Sequence, residues 1–341
     1  MSTCKILLAS VVFGIVFLAG GITLLTLLSA FQGTKPKQQC AGRWGPVIYY
    51  HRGNLTYAQE NTFHAVVNGT AFHGKNPEVD VMALNDGGVV LFHDSDMKRL
   101  TGKDVKTKDQ STEEVLSTPI LDVIDGYQYP SNNYIPELEP VVDAICNADG
   151  NIGIEFDMKS KEAVKKSVSI VKNSTCRDRS ENTIWTTAYP GVVTELKNEL
   201  KDKAMDHRIG MYMVSDKLFF LGLIFFLKTR LLHGFLSSGA SILAVHKTVY
   251  DAEKDLIQEW VDDGWCTEIW GITEDEIPNY DVDVYVVDDM PDGLEGEGVT
   301  TYEDNTLGSY HSFIVAGSVF TAIGLALCVN ACRLKRRQES Q

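Results

Sequence analysis

Between residues 46 and 287 short apolar runs alternate with longer amphipathic stretches, and this alternation constrains the chain more than any other feature. The runs are 46–50, 79–84, 152–156, 183–187, 209–213, 241–245, 267–272 and 282–287, with helix-period segments such as 162–172, 192–203 and 252–263 between them. Strands that are apolar on both faces and separated by helices pair in parallel, because each crossover must return to the same end of the sheet. A ninth run, 89–92, is joined to the second only by Asn85-Asp86-Gly87-Gly88, too short for a crossover. It is therefore expected to return as a hairpin strand outside the parallel set. Eight parallel strands in a stretch of this length predict an α/β chain of the (β/α)8 TIM barrel type, in which chemistry sits at the C-terminal strand ends. An open doubly wound sheet is the alternative architecture, but the Gly-rich phosphate loop of that fold is not found.

The two ends read differently. Residues 6–31 and 313–332 carry no charge, and each run is long enough to cross a bilayer. The expected organisation is thus a cytosolic N-terminus and transmembrane signal anchor over 1–40, a barrel over 41–308, and a transmembrane helix with a basic tail over 309–341. Arg333, Lys335, Arg336 and Arg337 follow the second run, which places that tail in the cytosol and, with two spans, the barrel on the extracellular or lumenal side. Three glycosylation sequons, at Asn54, Asn68 and Asn173, agree with a glycoprotein so oriented. So do Cys40, Cys146, Cys176 and Cys266, an even set open to any of three pairings. A further apolar stretch at 218–227 is too short to span and reads as a covered barrel helix or a segment dipping into lipid.

Only seven of the 31 Lys and Arg, and one of the 46 Asp and Glu, lie outside 41–308, so the middle carries a net charge of −21. So acidic a domain excludes nucleic-acid binding through a basic face, and any phosphate it handles needs a cation or a few placed basic side chains.

The strand ends supply such groups. His51-Arg52-Gly53 ends the first strand, and Glu78 and Asp80 lie two apart on one face of the second. Carboxylates aimed the same way repel unless a cation stands between them. His93-Asp94 ends the hairpin return, and Glu155, Asp157 and Lys159 alternate along the third parallel strand. Oxygen ligands of this kind suit a hard divalent metal, Mg²⁺ or Ca²⁺.

These residues resemble the glycerophosphodiester phosphodiesterase family. The resemblance rests on His51-Arg52-Gly53, Glu60-Asn61-Thr62, Glu78-Val79-Asp80, Val89 to Asp94 leading to Arg99-Leu100-Thr101-Gly102, Asp157-Met158-Lys159, the strand of Trp270, and Val286 to Pro291. It implies a barrel enzyme that cleaves glycerol-based phosphodiesters with two histidines, here His51 and His93, as acid and base. Arg52 and Lys159 would contact phosphate, and Glu78, Asp80 and a third carboxylate would hold the metal. Placing Asp157 beside the phosphate would set one negative charge against another, so Asp157 is chosen as the third ligand, with Glu155 deeper. Glu60, Glu155, Asp94 and Trp270 are expected in supporting roles. Two departures bear on substrate. The Asp157-Met158-Lys159 version is similar to that of relatives with phospholipase D activity on lysolipids and sphingomyelin, and Gly271-Ile272-Thr273 replaces the family's usual Thr-Asn pair.

The reading is therefore a membrane-tethered, metal-dependent hydrolase acting on a glycerophosphodiester or a (lyso)phospholipid diester. A phospholipase D-like enzyme on lysolipids or sphingomyelin and a catalytically silent binding ectodomain are the alternatives.

Overall fold

The structure is a computed structural model that describes residues 46–124, 126–129, 133–148, 152–175, 183–201, 208–213, 239–262 and 265–289. The expectations at 6–31, 218–227 and 313–332, with the orientation built on them, lie outside the described residues. Among the described residues no helix is long and apolar enough to cross a membrane.

Eight parallel strands close on themselves, as the alternation predicts. They are β1 (Val47–Tyr50), β2 (Asn76–Ala83), β6 (Ile154–Met158), β7 (Thr183–Thr186), β8 (Arg208–Met213), β9 (Ile242–His246), β10 (Cys266–Ile272) and β11 (Val284–Val287). Their order is β1-β2-β6-β7-β8-β9-β10-β11, and β11 pairs back onto β1. The ninth run is β3 (Val89–Leu91), antiparallel to β2 with Val81 opposite Leu91 and Ala83 opposite Val89. β2 therefore rises past the rim, turns at Asn85 to Gly88, and delivers His93 back beside it. The backbone N–H of Phe92 donates to Asp80 O at 3.0 Å.

A segment above that hairpin had no periodic signal in the sequence. It contains helices α1 (Lys98–Thr101) and α2 (Thr112–Leu116) and the ribbon β4 (Val123–Ile124) with β5 (Tyr127–Gln128). Ser111 and Glu114 form a reciprocal capping box at the start of α2. Its own apolar core joins Met82, Leu84, Val90, Phe92, Leu100, Ile124, Tyr129 and Ile135. The longer helices α3 (Leu138–Asn147), α4 (Lys161–Asn173), α5 (Pro190–Leu200), α6 (Lys247–Ala252) and α7 (Lys254–Asp262) lie between strands in sequence.

Alternation along each strand separates two environments. Phe156, Met158, Trp185, Ile209, Met211, Leu243, Val245 and Ile269 face outward into the same core as Val164, Val168, Val193 and Leu196 of the helices. The Phe156 and Trp185 rings stack across adjacent strands at 4.6 Å. Tyr49, Ile184, Ile242, Val284 and Val286 face inward and form a separate apolar cluster inside the barrel. Glu78, Asp80, Glu155, Asp157, Thr186, Tyr212 and Glu268 also face inward, a polar share that is unusual for a barrel interior that hydrophobic layers ordinarily fill.

Candidate active site

The turn after β1 is shaped by backbone restrictions. Arg52 has φ 57° and Gly53 φ 92°. A Cβ at Gly53 would come within 2.7 Å of the Ala65 carbonyl carbon, so only glycine fits there. Arg52 has no such freedom, and the left-handed region costs a non-glycine residue about 1–3 kcal/mol. It is held in place on both sides, its N–H donating to Glu78 Oε2 at 2.8 Å and its carbonyl accepting from Asn61 N–H at 2.9 Å. Its guanidinium reaches Glu60 at 3.0 Å and Asp80 at 3.2 Å.

β2 and β6 bring the acids together. Glu78 pairs in register with Glu155, and Asp80 with Asp157. Glu78, Asp80 and Asp157 present oxygens within 4.8 Å of one another, all buried. Asp157 Oδ1 has no hydrogen-bond partner, and an orphaned buried carboxylate oxygen beside two more acids is the donor set of a hard divalent cation. The residues thus fit the metal that the sequence suggested. Asn61 fixes Asp80 from both ends, Nδ2 donating to Oδ2 at 2.6 Å while Oδ1 accepts the Asp80 N–H at 3.0 Å. Glu155 stays out of this group and accepts instead from Thr186 Oγ1 at 3.1 Å and Tyr212 Oη at 3.3 Å. Lys159 Nζ lies 2.8 Å from Asp80 Oδ1 and also pairs with Asp157.

Each of the two sequence-predicted histidines has an aspartate. His51 Nδ1 lies 2.6 Å from Asp288 Oδ1, and His93 Nδ1 lies 2.8 Å from Asp94 Oδ1. The surroundings of the two differ. Asp94 also accepts from Arg99 Nε at 2.8 Å, and Arg99 grips both oxygens of Glu60 at 2.7 Å, so the Asp94 charge is already shared. Among the described residues Asp288 forms no ion pair with Lys or Arg. Burial and Arg52 pull His51 down, but the hydrogen bond and charge of Asp288, with Glu78, outweigh them and hold it up at about 9. Burial, then Arg52 and Lys159, push His93 below its ordinary value despite Asp80 and Asp94. Glu60 is lowered to about 2, because Arg52 and Arg99 more than offset its burial. Burial and the Asp80 charge raise Glu78, whereas Asp80, though buried, is held low by Lys159, His93 and Arg52.

Trp270 is half-buried and packs against the inward cluster, edge-on to His246 with centroids 4.5 Å apart and to Tyr212 at 6.0 Å. Gly271, where the sequence departs from the family pattern, sits at a break in register between Trp270 and Ile272 with φ 75°. A Cβ there would meet His246 Nε2 at 2.5 Å, so the glycine makes room for a third histidine at the rim. Gly271→Thr should therefore lower the melting temperature by several degrees, the readout being a thermal melt.

Sequence reasoning assigned no role to Asp288, Arg99 or Asn61. Asp288 could have been found, since it continues the inward alternation of Val284 and Val286. Asn61 and Arg99 stand in turns and a short helix, where no period points a side chain anywhere.

The chain matches the glycerophosphoryl diester phosphodiesterase family over residues 51–200. It is 28% identical over 186 residues to human lysophospholipase D GDPD1, covering 53% of this chain and 57% of that one. To mouse lysophospholipase D GDPD3 it is 27% identical over 179 residues, covering 51% of this chain and 52% of that one. The alignments thus span about half the length of these curated relatives. Among solved structures, an Oleispira antarctica phosphodiesterase in complex with the product sn-glycerol-3-phosphate superposes with a TM-score of 0.55 at 21% identity, over 72% of this chain and 94% of that one. An Agrobacterium tumefaciens glycerophosphodiester phosphodiesterase gives 0.53 at 19%, over 72% and 97%. At such identities these two establish the shared fold. The match covers both histidines, the acids of β2 and β6 and the strained turn after β1, so the likeness of residues 51–200 to the glycerophosphoryl diester phosphodiesterase family rests on the same residues as the candidate site.

Proposed function

We propose that the chain is a metal-dependent phosphodiesterase that hydrolyses glycerophosphodiesters or (lyso)phospholipid diesters. The observation that carries this reading is the pair of His–Asp couples, one beside Glu78 and one beside Asp80, over the buried Glu78/Asp80/Asp157 group at one end of the barrel. A divalent cation on those three carboxylates would draw charge from the phosphoryl oxygens, which is the main obstacle to attack on a diester. Arg52, buried and fixed by Glu60, and Lys159 supply further positive charge at the same end.

The unequal couples suggest the division of labour between the histidines. Asp288 supports a charged imidazole at His51, which then donates its proton to the departing alkoxide. His93, whose aspartate already serves Arg99, stays neutral and takes the proton of the attacking water. The His51 pKa is raised in the fold, so the stability linked to its proton is fully present below about pH 6.5. That contribution disappears as the pH climbs through about 9. Asp288→Asn should shift the alkaline limb of the kcat/KM profile toward lower pH and reduce activity roughly 10–100-fold. An unmoved alkaline limb would show that Asp288 does not set the proton affinity of His51.

A phospholipase D-like action on lysolipids or sphingomyelin is the second reading. It is favoured by the Asp157-Met158-Lys159 register and by the names of the two curated relatives. Headgroup release from lysophosphatidylcholine, sphingomyelin and soluble glycerophosphocholine, measured side by side with and without chelator, separates these readings. Absence of metal-dependent release from every diester in the panel would leave the silent ectodomain.

The proposed placement is a barrel outside the cytosol, tethered by 6–31 and 313–332. Cys146 and Cys266 each take part in a disulfide bond, as suits an oxidising compartment. Of the three sequons, Asn173 is exposed at the end of α4, while Asn54 caps the turn after His51 and accepts from the Thr56 and Tyr57 N–H groups at 3.0 Å. Asn173→Gln should therefore remove the main glycosidase-sensitive mobility shift, and protease added to sealed microsomes should leave the barrel intact. Digestion of the barrel in sealed microsomes would reverse the orientation.

A further inference from the structure

Inside the barrel lies a set of oxygens that the phosphodiesterase site does not use. Glu155 on β6 and Glu268 on β10 are both fully buried. Their strands are not neighbours, yet each carboxylate feels the charge of the other across the barrel interior. Glu155 Oε1, Thr186 Oγ1 and Tyr212 Oη form a triangle with edges of 3.1, 3.3 and 3.2 Å. Glu155 Oε2 and both oxygens of Glu268 have no hydrogen-bond partner. Among the described residues no Lys, Arg or His forms an ion pair with either acid. Glu78 and Asp157 add negative charge from the same interior.

Two carboxylates so placed need a positive partner. One proton shared between them supplies a single O–H donor, which satisfies at most two of the three orphaned oxygens. A cation can accept all three. Adjacent oxygens around a six-coordinate ion are separated by about 1.4 times the bond length, which is about 3.3–3.6 Å for Ca²⁺ and about 2.8–3.0 Å for Mg²⁺. The observed edges of 3.1–3.3 Å lie between the two ranges and touch only the Ca²⁺ one, and the absence of exposed surface decides between them. Mg²⁺ gives up its waters reluctantly and suits a wet site, whereas Ca²⁺ accepts an irregular cage made only of protein oxygens.

We propose that Glu155 and Glu268, with the Thr186 and Tyr212 hydroxyls, bind a second, inner cation of the calcium class, distinct from the one expected on Glu78, Asp80 and Asp157. This ion neutralises the floor beneath the metal group and joins β6, β7, β8 and β10 from within.

Calcium counting on the full-length chain in detergent tests it. After chelation and dialysis against saturating Ca²⁺, Glu268→Gln should hold one calcium fewer per chain than the unmodified protein. The same change made on Asp157→Asn should remove a further calcium, because the two sites are separate. The calcium-dependent rise in melting temperature should also shrink in Glu268→Gln, whose amide can donate to Glu155 without any ion. If Glu268→Gln does not fold, Thr186→Val offers the same count with a milder change. Equal calcium content in the folded variant and the unmodified chain overturns the proposal and leaves a shared proton as the partner of the pair.

Discussion

His51→Ala and His93→Ala should each lower kcat by about 10²–10⁴-fold, the range that positioned proton transfer contributes. At about 1.36 kcal/mol per tenfold, this is roughly 3–5 kcal/mol of barrel-rim chemistry concentrated in two side chains. Both rings are half-buried, and each loses one hydrogen bond to its aspartate. The fold should therefore survive, with a stability loss of about 1–3 kcal/mol from the stranded carboxylate. Melting temperature and circular dichroism separate the two effects. The double variant should be scarcely slower than the worse single one, because groups that serve one transition state are not additive. Comparable turnover in the double variant and the unmodified chain would end the two-histidine mechanism.

Asp157→Asn should raise the metal concentration for half-maximal turnover more than about 100-fold, since losing even a group behind a ligand costs about 10–100-fold. Glu155→Gln should leave that concentration nearly unchanged, because Glu155 faces Thr186 and Tyr212 and stands outside the Glu78/Asp80/Asp157 group. The comparison separates two acids only two residues apart on one strand face, about 7 Å along it. Weaker metal dependence in the Glu155 variant alone would exchange their roles. Asp157→Asn also removes a charge that Lys159 shares, so Lys159 should swing toward Asp80.

Much of this protein was legible in its residues. The eight parallel strands fall within a few residues of the apolar runs, because a strand covered on both faces must be apolar at nearly every position. The hairpin return at β3 followed from chain length alone, since four residues cannot make a crossover. The same-face placement of Glu78 with Asp80, and of Glu155 with Asp157 and Lys159, came from the two-residue period of a strand. That period assigns a face and is silent on depth.

Depth and partnership were decided by the tertiary structure. Which of Glu155 and Asp157 stands beside Glu78 and Asp80 depends on the register of β2 against β6, a property of two strands that neither segment contains. The same holds for Asp288, 237 positions from the His51 ring it binds, and for Arg99, which ties Glu60 to Asp94. The mutual influence of Glu155 and Glu268 is more distant still in this sense, because side chains of strands that are not neighbours face one another only when the barrel closes. The sequence by itself determined the elements, their faces and the chemical types at the rim, since these follow from local sterics and periodic burial. Closure of the barrel determined which charges share a site and hence which proton each histidine holds, because electrostatic partners are set by distance through space and that distance exists only once the last strand has paired with the first.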